Sequence, residues 1–256
     1  MKDEYNYCML ANKAHGILNS KGRLYPIHKA LITLYFNNYR KEDIHHIIEI
    51  RLALIDYFYS TQMNRRYYGI EELANKIRDI YNFKDGEIEK IDKEMSKDYS
   101  IFLDNIDCSK AFNSRIYQLF ENKYGIDKKG NEKGRAISLI SKYGYFLTGY
   151  KFPIYDTLGK YGIKSLFGEI KSINSINDFM KYFSVIKKVN NVSKIVDYDK
   201  LDTLLWLYGK LFKDREKKSL WLLFLNGNDY TAYLKNSKQD RKIDEFEQLL
   251  IVDKGK

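Results

Sequence analysis

The sequence predicts an all-α protein, and three observations carry that expectation. An average chain holds about 5% proline, whereas these 256 residues contain two, Pro26 and Pro153, so helices can run without interruption. Apolar residues recur at steps of three and four along segment after segment. The breaks between segments are supplied by glycine and asparagine, where positive φ is cheap: Tyr68-Gly69, Lys129-Gly130-Asn131 and Asn226-Gly227-Asn228.

Taken in order, Glu42 to Ser60 carries Ile44, Ile47, Ile48, Leu52, Leu54, Ile55 and Phe58 at helical spacing and predicts one long helix. Similar spacing predicts helices in Ile70–Tyr81, Ala111–Tyr124, Ala136–Leu147, Ile176–Val189, Leu201–Phe212 and Leu220–Leu225. With short turns this makes about ten helices in all. No repeat or low-complexity tract interrupts them, so 1–256 reads as a single helical unit with two lobes. The weakened apolar pattern from Lys84 to Asp98 places the division between 82 and 110, giving lobes of 1–100 and 101–256.

Composition narrows the function. The chain has 44% apolar residues, enough for a sizeable core, and 44 basic residues against 34 acidic ones, for a net charge of +10. A polyanion is the first partner to consider, with nucleic acid ahead of an anionic membrane. Cys8 and Cys108 are too few for a disulfide framework or a four-cysteine metal site, which fits a reducing cytoplasm. The first residues, MKDEYNYCML, lack a leader pattern, and the longest strongly apolar run, Leu220 to Leu225, is far short of the roughly 18 residues that span a bilayer. A cytoplasmic protein without membrane, metal, cofactor or obligate protein partner is expected.

The charge is concentrated. From Glu121 to Lys171 ten basic residues face five acidic ones, so half of the +10 excess lies there. The turn DKKGNEKG, ahead of a helix, offers Lys128, Lys129, Lys133 and Arg135 together with the backbone N–H groups of Gly130 and Gly134. Such a set can hold a nucleic-acid backbone without reading its sequence, and it can equally be a solvated basic turn. A second cluster, YFYSTQMNRRYYG, places Arg65 and Arg66 beside Tyr67 and Tyr68, where cations meet phosphate and a ring stacks on a base; packing at a helix end is the simpler role for these tyrosines.

The most informative segment is Gly134 to Ile163, which reads as an amphipathic helix, a short loop, a proline and another helix. Lys142 sits among Ile140, Tyr143, Tyr145 and Phe146; if its face turns inward, lost hydration favours the neutral, nucleophilic amine. Asp156 follows Phe152-Pro153-Ile154-Tyr155 at a helix start, where free N–H groups keep a carboxylate ionised and where it can also act as an N-cap.

The ISKYGYFL helix and the FPIYDTLGK stretch resemble the helix-hairpin-helix DNA glycosylases, in particular their 8-oxoguanine glycosylase-like branch in bacteria and archaea. The resemblance is specific over about 30 residues. It implies a two-lobed helical fold, with the hairpin and catalytic segment at 127–163, and excision of a damaged or modified base from DNA, in repair or phage defence. It also implies that Asp156 stabilises charge developing on the deoxyribose or activates the nucleophile, and that a lysine can attack C1′ to form a Schiff base. The sequence departs from the family pattern in reading Gly130-Asn131-Glu132-Lys133-Gly134 at the hairpin and in one extra residue between Pro153 and Asp156. Both Lys142 and Lys133 therefore remain candidates for the nucleophile, Lys142 being preferred for its apolar surroundings.

Two other readings stand beside this one. Arg40 and His45 form an R-x4-H string that resembles the motif of HEPN-type ribonucleases, which are also all-α. A non-catalytic basic helical module that binds DNA would use the same cations, with Lys142 and Asp156 as an ion pair or cap. His45, His46 and Glu49 lie close together but do not form H-E-x-x-H, so they give a metal little support.

Overall fold

The computed structural model describes residues 7–19, 24–38, 46–84, 86–166 and 179–213. Among them are ten α-helices: α1 (Tyr7–Leu18), α2 (Leu24–Asn37), α3 (Ile47–Tyr59), α4 (Gly69–Tyr81), α5 (Ile88–Asp104), α6 (Arg115–Glu121), α7 (Ile137–Leu147), α8 (Thr157–Leu166), α9 (Phe179–Ser193) and α10 (Tyr198–Lys213). The only β-type pairing among the described residues is three isolated antiparallel bridges, two within the α6–α7 loop and one joining that loop to Tyr67 between α3 and α4. The all-α class is as expected. The helices expected at Glu42–Ser60, Ile70–Tyr81, Ala136–Leu147 and Leu201–Phe212 are α3, α4, α7 and α10; Ala111–Tyr124 becomes a 3-10 turn at Ser109–Asn113 followed by the short α6. Leu220–Leu225 and the Asn226-Gly227-Asn228 turn lie outside the described residues.

The chain forms two compact units with other boundaries than 1–100 and 101–256. One comprises 1–27, 156–176 and 185–256, the other 28–155 and 177–184. Within the stretch of weakened apolar pattern, residues 88–98 belong to α5. Its buried residues Ile88, Ile91, Met95 and Tyr99 form a narrow stripe between polar positions.

In unit 28–155 and 177–184, α7 lies at the centre. Every residue from Leu139 to Phe146 is buried, and the helix packs against α3, α5 and α6. Aromatic rings fill the surrounding core. Tyr99 meets Phe152 with centroids 4.7 Å apart, Phe120 meets Phe179 at 5.1 Å, and Phe152 meets Phe183 at 5.1 Å. Gly144 lets α5 approach, because a Cβ there would strike the Tyr99 ring. The same unit buries Arg51 completely. Its guanidinium makes a bidentate pair with Asp92 at 2.8 and 2.9 Å and donates to the Tyr35 and Phe36 carbonyls at 3.0 and 3.2 Å.

In unit 1–27, 156–176 and 185–256, α8 and α10 run in backbone contact. A Cβ on Gly162 would strike the Leu205 carbonyl, and one on Gly209 the Leu158 carbonyl. The two glycines thus set the distance between the helices reciprocally. His15 on α1 reaches Asp199 on α10 at 3.2 Å, and the Cys8 thiol donates to the Lys194 carbonyl at 3.3 Å.

Candidate functional site

Lys142 belongs to the central helix α7 and is 3% exposed, so its amine is enclosed by the unit rather than displayed. Nζ lies 2.7 Å from the Ser138 hydroxyl, one helical turn back on the same face, and 5.7 Å from the Tyr59 ring centroid. Ser141, also buried, accepts the Tyr155 backbone N–H at 2.9 Å. That bond ties the segment Phe152–Tyr155 back onto α7, and the Tyr182 hydroxyl secures the Ile154 carbonyl at 2.8 Å. Lys142 faces inward, the condition on which the sequence reading of its amine rests. Ser138 and Tyr59, its neighbours, were not singled out in the sequence; the four-residue spacing of Ser138 and Lys142 was the available signal.

Asp156 begins the helical segment of the other unit, ahead of α8. One carboxylate oxygen accepts the Gly159 N–H, and its carbonyl accepts the Lys160 N–H at 3.2 Å. It is therefore an N-cap, the role weighed for it in the sequence. Its second oxygen has no hydrogen-bond partner among the described residues.

The segment 122–136 between α6 and α7 is a bridged loop, not a tight hairpin opening directly into a helix. Lys123 bridges Arg135, Ile126 bridges Glu132, and Ile126 also bridges Tyr67. Asp127 turns the chain by accepting the backbone N–H groups of Lys129 at 2.8 Å and Asn131 at 3.0 Å. Those two N–H groups, with help from Lys133, hold the Asp127 carboxyl below its usual pKa. Gly130 takes φ +78 as the turn requires, but its N–H is committed to the Asp127 carbonyl at 3.0 Å, and that of Lys133 to the Gly125 carbonyl at 2.8 Å. The phosphate cradle expected from the Gly130 amide is thus occupied by the loop's own oxygens.

The structure brings the two basic clusters together and sorts their cations. Arg66 is a strut: Nη1 donates to the carbonyls of Tyr124 at 3.2 Å and Gly134 at 2.5 Å, and Nη2 to Arg135 at 3.4 Å. Lys123 pairs with Glu132 at 2.7 Å, Lys133 with Asp127 at 3.6 Å, and Arg135 with Glu121 at 2.5 Å. Arg65, Lys128 and Lys129 are exposed and have no side-chain partner among the described residues.

Unexpectedly, the positive φ at Tyr68-Gly69 falls on the tyrosine, at +60. Gly69 is small because a Cβ there would come within 2.9 Å of the Met63 Cε, and within 3.2 Å of the Arg66 Cβ. Ser60 and Gln62 are also left-handed. Buried Asp56 fixes the strained loop by accepting from Thr61 and from the Met63 N–H. Gly125 closes the assembly, since its Cβ would lie 2.8 Å from the Arg66 Cβ, 2.9 Å from the Tyr67 carbonyl oxygen and 3.0 Å from the Gly69 Cα. The Glu72 carboxylate also accepts the Gly125 N–H at 2.5 Å. Asp56, Glu72 and Gly125 carried no sequence signal beyond their residue types.

Arg40 and His45 lie outside the described residues. Glu49 pairs with Arg78 and His46 is exposed. Among the described residues, no group of three or more His, Cys, Asp or Glu side chains could hold a metal ion, and no helix is long and apolar enough to cross a membrane. An open cleft of about 620 Å³ beside the Arg51–Asp92 pair is lined by Phe36, Asn37, Asp92, Lys93 and Lys97 among others, and Lys142 is not part of its wall. No protein-family model matches the chain, and neither the curated proteins nor the solved structures contain a significant match to it.

Proposed function

We propose that the chain is a DNA glycosylase-like enzyme that excises a damaged or modified base, with Lys142 as the amine and Asp156 as the assisting carboxylate. The observation that supports this most is the enclosed Lys142, 3% exposed and held at 2.7 Å by Ser138 on a helix of buried aromatic residues. Lysine is almost never fully buried unless it is paired, and a neutral amine is the nucleophilic form. In the proposed reaction the Nζ lone pair forms a bond to C1′ of a flipped nucleotide while the N-glycosidic bond breaks. The base leaves with the bonding electron pair and takes up a proton. Loss of a proton from the new C–N nitrogen and opening of the sugar ring give the imine. Arg65, Lys128 and Lys129 contact the DNA backbone.

The test is mass spectrometry of free bases released from normal, oxidised and hypermodified DNA by the purified chain, with Asp156→Asn beside the wild type. Base release by the wild type and its loss in the variant, with DNA retention kept, is the expected result. Equal turnover by the two rejects the assignment.

The same burial also favours a second reading, a basic DNA-binding module in which Lys142 is a core residue. That reading predicts salt-dependent DNA retention with no released base.

A further inference from the structure

We infer that Arg65, Tyr67, Tyr68, Lys128 and Lys129 form one surface that binds an unpaired stretch of nucleic acid, the cations on phosphates and the tyrosine rings on bases. The bridge between Tyr67 and Ile126, with N–H to carbonyl distances of 3.0 and 3.1 Å in the two directions, fixes the tyrosine loop beside the lysine turn. Tyr67 and Tyr68 are 52% and 65% exposed at this junction.

The platform is built rather than incidental. A bulky residue at φ +60 is an outlier, and such a conformation persists only where its surroundings over-determine it. Here the surroundings are the bonds accepted by Asp56, the Arg66 strut and the close approach of Gly125 to Gly69. None of them uses the Tyr67 or Tyr68 ring, and both residues remain exposed. The electrostatics agree. Lys123, Lys133 and Arg135 are each neutralised by a carboxylate and Arg66 is taken up by carbonyls, so the cations left available are those beside the exposed rings.

This combination selects an unpaired strand. Surface tyrosines stack on bases whose faces are uncovered, and in a duplex those faces are covered by neighbouring pairs. An acidic protein would satisfy the cations but leave the rings unused. The surface lies within one compact unit and rests on observations separate from those at Lys142. It deepens the glycosylase reading, because such an enzyme must hold a nucleotide freed from its stack.

The experiment is fluorescence anisotropy of the full chain with a labelled oligothymidylate and with a duplex of equal length, over a series of salt concentrations. The single strand is expected to bind more tightly. Tyr67→Ala and Tyr68→Asn, the latter chosen because asparagine tolerates the left-handed region, should each weaken single-strand binding about tenfold and leave duplex binding nearly unchanged. That unchanged duplex binding shows that the variants are folded. Replacing Arg65, Lys128 and Lys129 together by alanine should reduce the slope of log K against log salt for the single strand by about 2, whereas Lys123→Ala should leave it unchanged. Equal binding of both forms with no effect of the tyrosine variants overturns the proposal. So does binding to vesicles of anionic phospholipid without binding to the oligonucleotide. Tyrosine-dependent strand binding without base release rejects the glycosylase reading alone; base release unaffected by the tyrosine variants, with no preference for the single strand, rejects the platform alone.

Discussion

Replacing Gly125 by alanine separates two costs that are usually merged. Gly125 and Gly130 both occupy the left-handed region, at φ +76 and +78. Alanine at either position incurs the same backbone penalty of about 1–2 kcal/mol. Only Gly125 is also crowded: its Cβ would meet the Arg66 Cβ, the Tyr67 carbonyl oxygen and the Gly69 Cα at 2.8 to 3.0 Å, whereas nothing lies within 4 Å of a Cβ on Gly130. Two of those three atoms are main chain, so relief requires the loop to move, at about 1–3 kcal/mol for overpacking. Gly125→Ala should therefore cost about 2–5 kcal/mol and Gly130→Ala about 1–2 kcal/mol. Urea denaturation gives the total, and amide exchange at Tyr67 and Ile126, which bond to each other's carbonyls, shows where it is lost. Protection at those two amides should fall at least several-fold more in Gly125→Ala than in Gly130→Ala. Equal costs, or unchanged protection in Gly125→Ala, would refute the locked-loop argument.

Other expectations follow from the same geometry. In α8 and α10, Gly162→Ala and Gly209→Ala should lower the melting temperature even though helix propensity alone favours alanine by about 1 kcal/mol, because each Cβ strikes the facing backbone; a rise in melting temperature would remove the close helix contact. Asp92→Asn leaves the fully buried Arg51 guanidinium without its counter-charge and should cost about 3 kcal/mol in urea denaturation. Glu94→Gln, at the more exposed Arg115–Glu94 pair, should cost under about 1 kcal/mol. The Asp127 carboxyl should titrate below 3.8 by carboxyl NMR, since the folded turn favours its charged form. Its contribution to the turn is then complete above the unfolded value and disappears as the pH falls through the lowered folded one. A midpoint at or above 3.8 would contradict the N–H bonds drawn to it.

Much of the helical framework was legible because its period is local. The inward residues of α3, α4, α7 and α10 repeat at three and four steps with few interruptions, whereas the apolar neighbours of Lys142 on α7 left the direction of its face open. Helix α5 is harder to read because its buried Ile88, Ile91, Met95 and Tyr99 form a stripe only one residue wide between polar positions. The turn 127–134 reads equally as a phosphate contact or a solvated basic turn because composition displays donors and cations without showing where they are used. Asp127 takes the turn's N–H groups, and Arg66 reaches carbonyls far along the chain at 124, 134 and 135. Such long-range commitments turn a basic cluster of many candidates into three available cations, and no spacing rule encodes them. Asp156 was legible as an N-cap because D-T-L-G places an acceptor three residues before a helical N–H.

Borohydride reduction of the full chain on duplexes carrying an abasic site or a damaged or modified base, followed by peptide mass spectrometry, tests the role of Lys142 most directly. A covalent DNA adduct mapped to Lys142, absent from Lys142→Gln, is the predicted result. An adduct on Lys133, or none on any substrate, would contradict the account and leave Lys142 as a buried core residue.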